Sequence, residues 1–223
     1  MYKLSPSDFA YLYEECKLCY WLKVKCTIYQ PTKPMPAVFG AINSKVQASI
    51  VGHDLRALSP ELPQGIVESQ EGWVESIQFP KTEVYIKGKY DLLVRLPDDE
   101  FLIVDLKISQ PDERKIEKYQ TQLQAYKFAF ENPKYGKPKK ISRMGLLVMY
   151  PENAEFKEGK VIIKLPPKWL EIPKDAQGFA KFMTQIDKLL KGPTPKEDPN
   201  CLWCKYRHLG EDLSHKDAKD IPF

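Results

Sequence analysis

The sequence predicts an α/β fold, with a central mixed β-sheet flanked by helices. Three observations predict it. The segment FLIVDLKI (101–108) is apolar on both faces, Phe101 and Ile103 on one and Leu102, Val104 and Leu106 on the other. A strand of that kind belongs in the covered centre of a sheet. Strand-like segments precede it as a meander, and a helix follows it, with Ile116, Tyr119, Leu123, Tyr126 and Phe130 stepping by three and four. Helices, meander, helix, strand, helix is an order that packs helices against a mixed sheet.

Taken in order, residues 7–24 read as one helix, with Ser7 as N-cap and Asp8 in its first turn. Residues 30–37 (QPTKPMPA) contain three prolines and read as an extended loop. A second helix is expected over 39–57. Beyond the loop SPELPQG come GWVESIQF, the strand-like stretch EVYIKGKYDLLVRL, and FLIVDLKI. Ser109, Pro111 and Asp112 supply helix-start chemistry for the next helix. A basic loop, a strand (MGLLVMY), an edge strand (KVIIKL) and a helix over 175–191 complete the core. The linker KGPTPKEDPN leads into CLWCKY. We expect a single domain over 1–223, its core at 38–192, with the N-terminal helix and the C-terminal segment 193–223 joined through their cysteines.

The composition, 43% hydrophobic and 29% charged over 223 residues, is that of a soluble globular chain. No run approaches the roughly 18 apolar residues of a membrane span, and the N-terminus lacks an apolar signal core, so a cytoplasmic protein is expected. The net charge of +4 permits an anionic partner without identifying one. Lys115, Lys118, Lys127, Lys134, Lys137, Lys139 and Lys140 gather after the hairpin, where charge alone favours a solvated helix face and loop over a binding patch. Five cysteines argue against a disulfide framework. Four form two C-x2-C pairs, Cys16/Cys19 and Cys201/Cys204, enough thiolates for a tetrahedral zinc or a 4Fe-4S cluster. Cys26 is left as a small core residue.

Charges in the stretch GKYDLLVRLPDDEFLIVDLKIS (88–109) need a reason, because buried charges are paired or bind metal. A turn centred on Asp98 would set Val94 opposite Leu102 and Asp91 opposite Asp105. Opposed residues share a face, as do alternate residues of a strand, so Asp91, Asp105 and Lys107 would project together. That register requires an odd-numbered loop or a bulge; a two-residue loop would turn Asp91 to the other face. Two adjacent carboxylates cannot both ionise in a partly dry site without a counter-charge. Mg2+ or Mn2+ supplies one, can activate water and can neutralise a phosphoryl oxygen. A lysine alongside can orient the water or stabilise developing negative charge. The alternative is a structural Asp–Lys ion pair. On the following helix, Tyr119, Gln122 and Tyr126 share one face, and an amide between two phenols suits contacts to a phosphate backbone or to a ligand of the acids. For Tyr119, aromatic core packing competes with that role.

Gly88–Asp91, then Asp105-Leu106-Lys107, then Gln122–Tyr126, in that order and spacing, resemble the PD-(D/E)XK nucleases of the RecB type. That group includes the iron–sulfur CRISPR-associated adaptation nucleases, which also carry cysteines at both termini. The resemblance spans about residues 4–207. It implies a restriction-endonuclease-like core in which Asp91, Asp105 and the Leu106 carbonyl bind metal. Lys107 would be catalytic, and Gln122 with Tyr126 would position DNA. The implied chemistry is metal-dependent hydrolysis of DNA, often on single strands or ends. For the cysteines it favours a 4Fe-4S cluster, with Zn2+ as the alternative.

One feature departs from the family. It usually has a histidine ligand on an early helix, about four residues after a glycine. Ser44 occupies that place after Gly40, with Asn43 and Gln47 beside it, and His53 comes too late. Ser44 or Gln47 could bind through water. A DNA-binding module with a weak or inactive site, inside a repair, recombination or CRISPR-adaptation assembly, therefore stands beside the nuclease reading. A purely structural protein is the third reading.

Overall fold

The structure, a computed structural model, describes residues 1–31 and 36–214, with side chains described through Glu211. Part of the proline loop at 30–37 and the end of the C-terminal segment 193–223 lie outside the described residues. In chain order come β1 (Tyr2–Leu4), α1 (Leu12–Glu15), α2 (Lys17–Cys26), α3 (Ala37–Ile50), β2 (Ile66–Gln70), β3 (Trp73–Gln78), β4 (Val84–Lys89) and β5 (Leu92–Arg95). They are followed by β6 (Phe101–Ile108), α4 (Arg114–Glu131), β7 (Ile141–Met149), β8 (Asn153–Lys157), β9 (Lys160–Lys164), β10 (Pro167–Glu171), α5 (Ala176–Lys191) and α6 (Leu202–Ser214).

The main sheet is mixed, in the order β10-β7-β6-β5-β2. Strands β6 and β7 are parallel and joined by α4, while the other neighbours pair antiparallel. As its two apolar faces require, β6 is central. Ile103 joins the core formed with Leu123, Tyr126 and Phe130 of α4. Leu102, Val104 and Leu106 join a second core with Ile50 of α3 and Leu147 of β7. Each fully buried aliphatic side chain contributes roughly 1.5–3 kcal/mol, so reversing the faces of this strand would be costly. A smaller sheet, β1-β4-β3, stands beside the first.

Several expectations are corrected. The segment EVYIKGKYDLLVRL is two strands in different sheets, because the chain steps from β4 to β5 at Tyr90 and Asp91. There the buried Tyr90 packs edge-on against Phe130, and its N–H donates to the Gly72 carbonyl. The helix expected over 7–24 is broken into a 3-10 turn at Pro6–Asp8, then α1 and α2. Cys16, between the two helices, has extended backbone (φ −164°, ψ 115°), which turns its sulfur away from the helical path and toward the C-terminal cysteines. The helix expected over 39–57 stops at Ile50: Gly52 adopts φ +82°, and a short 3-10 turn capped by Asp54 follows. The KVIIKL segment pairs in a separate exposed hairpin with β8, and β10 takes the sheet edge. Cys26, expected in the core, ends α2 at the surface.

Candidate active site and cysteine site

The β5–β6 hairpin has the odd loop that the acid pair demands. Leu96 N–H donates to the Glu100 carbonyl at 2.9 Å, and Asp99, the last of three loop residues, takes φ +59°. The ladder pairs Val94 with Leu102 and Leu92 with Val104. One step further brings Asp91 to Asp105.

These acids and Lys107 do converge. Asp91 Oδ2 accepts the Leu106 N–H at 2.8 Å, and Gln122 Nε2 donates to Asp105 Oδ1 at 2.9 Å. Lys107 Nζ forms a 2.6 Å ion pair with Asp105 Oδ2, and that buried oxygen has no other partner among the described residues. Burial pushes the Asp91 carboxyl up to about 7; the Asp105 charge adds to the rise, and Lys107 and the Leu106 N–H oppose it. Burial works against the Lys107 ammonium too, but Asp105 and then Asp91 prevail and hold its pKa above the usual lysine value. Two carboxylates thus face one ammonium. The remaining negative charge can take up either a proton or a cation, and the oxygen donors fit a hard divalent ion such as Mg2+ or Mn2+.

Gln122, Tyr126 and Tyr119 of α4 are buried behind these groups. The Tyr126 hydroxyl donates to the Lys89 carbonyl at 2.6 Å and so fixes the backbone just before Asp91. Gly88 explains itself by close approach: a Cβ there would lie 2.7 Å from Pro6 Cδ and 3.1 Å from Tyr126 Cε1. Lys107 Nζ stands 4.7 Å from the centre of the Tyr119 ring. Outside Tyr119 lies Tyr11, its hydroxyl against the Tyr119 hydroxyl and its ring under Lys118 Nζ at 4.1 Å. A cleft of about 700 Å³ opens beside it, lined by Tyr11, Glu14, Arg114, Lys118 and Thr121 among others. Sequence reasoning missed Tyr11, and nothing local marks it, since it meets Tyr119 across 108 residues of chain. It also missed Glu71, whose N–H donates to the Asp91 carbonyl at 2.8 Å and whose charge adds to the rise in the Asp91 pKa.

Far along the chain from the acids, the two C-x2-C pairs come together. Sγ–Sγ distances are 3.8 Å for Cys16–Cys204, Cys19–Cys201 and Cys19–Cys204, and all four sulfurs lie within 4.8 Å of one another. Each pair opens a helix: Cys16 is the N-cap of α2, and Cys201 directly precedes α6. Burial pushes the Cys19 thiol up to about 11 and Cys204 higher still. For Cys16 burial is outweighed by backbone N–H donors, Cys19 first, and its pKa falls. A metal ion is what would hold all four as thiolates together. His208 pairs instead with Glu197, Nε2 to Oε2 at 2.6 Å.

Residues 45–209, well over half of the chain, match the profile of the PD-(D/E)XK nuclease superfamily. The chain belongs to the PD-(D/E)XK nuclease superfamily. A solved structure described as "Crystal structure of SSO0001" shares its fold, with a TM-score of 0.51 and 15% identity over 99% of this chain and 87% of that one. No curated protein sequence matches the chain. The superfamily match begins after Cys16 and Cys19 and includes Cys201 and Cys204.

In this PD-(D/E)XK chain the early helix α3 turns Ser44 to solvent and buries Gln47 completely. Both Gln47 amide atoms and Asn43 Oδ1 lack hydrogen-bond partners. His53 is exposed. Of the lysines after the hairpin, Lys127, Lys134, Lys139 and Lys140 are paired with Glu131, Glu75, Glu68 and Glu100. Among the described residues, no helix is long and apolar enough to cross a membrane.

Proposed function

We propose that the chain is a divalent-metal-dependent deoxyribonuclease that hydrolyses phosphodiester bonds of single-stranded DNA or DNA ends. The observation that carries this reading is the buried Asp105 carboxylate: Gln122 holds one oxygen, Lys107 alone among the described residues pairs the other, and a second buried acid, Asp91, stands beside them. A structural ion pair would not need a second acid pushed up to about 7 by burial. Asp91 and Asp105, with the Leu106 carbonyl as a third ligand, would hold Mg2+ or Mn2+. The bound ion supplies charge neutralisation and acidifies a water. Lys107 serves the phosphoryl group: its ammonium stays charged and would donate N–H hydrogen bonds that orient the water or stabilise the developing oxyanion. Gln122 keeps Asp105 oriented, Tyr126 keeps the Asp91 backbone in place, and Tyr119 backs Lys107 beneath Tyr11. Exonucleolytic or end-processing action, within a repair, recombination or CRISPR-adaptation complex, is the setting that the resemblance implies.

The test is degradation of 5′- and 3′-labelled single- and double-stranded DNA with Mn2+. Cleavage should vanish in Asp105→Ala and fall steeply in Lys107→Ala. Cleavage at wild-type rate in both variants would remove these residues from the mechanism. A second reading, a DNA-binding module with a weak site, is favoured by one observation: α3 offers the buried Gln47 and no histidine. It predicts salt-sensitive DNA binding without cleavage in Mn2+.

A further inference from the structure

The four cysteine sulfurs stand too close together for a cubane cluster. In a tetrahedral site with metal–sulfur bonds of about 2.3 Å, neighbouring sulfurs are separated by the tetrahedron edge, about 3.8 Å. Three of the sulfur pairs here stand at 3.8 Å, and no pair exceeds 4.8 Å. A 4Fe-4S cubane interposes four irons and four sulfides and spreads its thiolates to roughly 6 Å. To admit it, every sulfur pair would have to open by more than an ångström. All four are buried, Cys16 and Cys204 at 1% and 2% exposure, so the sulfurs are gathered inward on one another rather than spread around a larger group.

We propose that Cys16, Cys19, Cys201 and Cys204 bind a single tetrahedral Zn2+ ion rather than an iron–sulfur cluster. The two pairs are built alike, each with one cysteine just before the first residue of a helix and the other three residues on, in the first turn. Both helix N-termini therefore point their positive ends at the sulfurs, where they offset the charge of four thiolates around a dication. Arg207 Nη2, 3.8 Å from Cys204 Sγ, adds a formal positive charge. Four sulfurs in a closed, buried tetrahedron leave no open position, so the role of the ion is structural. This inference is independent of the nuclease reading, and its test does not depend on cleavage.

The test is metal and sulfide analysis of the whole chain purified anaerobically from cells supplied with both iron and zinc. The expected result is about one zinc per chain, no acid-labile sulfide and no absorption band near 400 nm. X-ray absorption should show a single shell of sulfur at about 2.3 Å around zinc. About four irons with matching sulfide, or a lone iron in place of zinc, would overturn the assignment. Cys16→Ser and Cys201→Ser should each lose the zinc and lower the melting temperature by roughly 10 °C. Cys26→Ser should change neither; loss of metal in that variant would count against the four named ligands. If a variant does not fold, the stoichiometry of the wild-type chain still decides between one ion and a cluster.

Discussion

Asp91→Asn should stabilise the chain when the acidic site holds no divalent ion. Burial and the Asp105 charge push the Asp91 carboxyl up to about 7, against an unfolded value near 3.9. Because the folded value is the higher one, the folded chain keeps its proton more tightly than the unfolded chain. The contribution of this one group to stability is therefore greatest below pH 4 and is lost as the pH climbs through 7. The rise of about three units corresponds to about 4 kcal/mol at full extent, more than half of it between pH 5 and pH 8. Asp91 retains some contact with solvent, which reduces that interval to roughly 2 kcal/mol. For a domain of this size that is a change of roughly 4–8 °C in melting temperature. Asparagine keeps an oxygen to accept the Leu106 N–H and cannot ionise. The assay is thermal melting of both proteins from pH 5 to pH 8, in buffer freed of divalent ions by dialysis without a strong chelator, so that the cysteine site stays loaded. The wild type should fall relative to Asp91→Asn as the pH rises, since groups other than residue 91 are common to both proteins. Added Mn2+ should restore the wild type at pH 8 and leave Asp91→Asn unmoved. Parallel pH profiles for the two proteins would refute the reasoning.

Gln122→Leu removes the amide that holds Asp105 Oδ1 and should weaken Mn2+ binding 10- to 100-fold, roughly the cost of losing a group that orients a ligand, as read by calorimetric titration. Gly88→Ala drives a methyl group into Pro6 and Tyr126 and should cost about 1–3 kcal/mol in urea unfolding; an unchanged midpoint would show that both neighbours can give way. Tyr11→Ala removes a 41%-exposed ring at the mouth of the site, and loss of base stacking should lower kcat/KM on single-stranded DNA about tenfold, a value within the range for one stacked base. Its melting temperature should stay within a few degrees of wild type, and an unchanged kcat/KM would exclude a contact with substrate.

Local pattern made some features legible and long-range contact hid others. The double-faced strand β6, the stripe on α4 and the register of the acid hairpin were readable because each depends on periodicity or on a single turn. The break at Cys16 was not readable. Residues 12–26 have a helical composition, and the C-terminal cysteines, Cys204 among them 188 positions away, give Cys16 its reason to leave the helix. The split at Asp91 was hidden likewise, since the apolar run crosses from one sheet to the other without a glycine or proline between Gly88 and Pro97 to mark the step. Gln122 was legible as an anomaly in an apolar stripe, though its partner proved to be Asp105 itself.

The two sites are connected by one short stretch of chain. Pro6 presses against Gly88, Tyr11 covers Tyr119 beside Lys107, and Cys16 lies five residues beyond Tyr11. Between them Phe9 and Tyr13 pack edge-on against Phe182 of α5, which fixes the segment from its inner side. Lys23 of α2 adds a 2.6 Å ion pair to Asp8. The C-terminal cysteines therefore anchor, through Cys16 and α2, the segment that walls one side of the acidic site. A metal held between the chain's two ends would then narrow the positions open to Tyr11, although it touches none of the acids. The cysteines would contribute to the nuclease site by restricting that wall, without taking part in its chemistry.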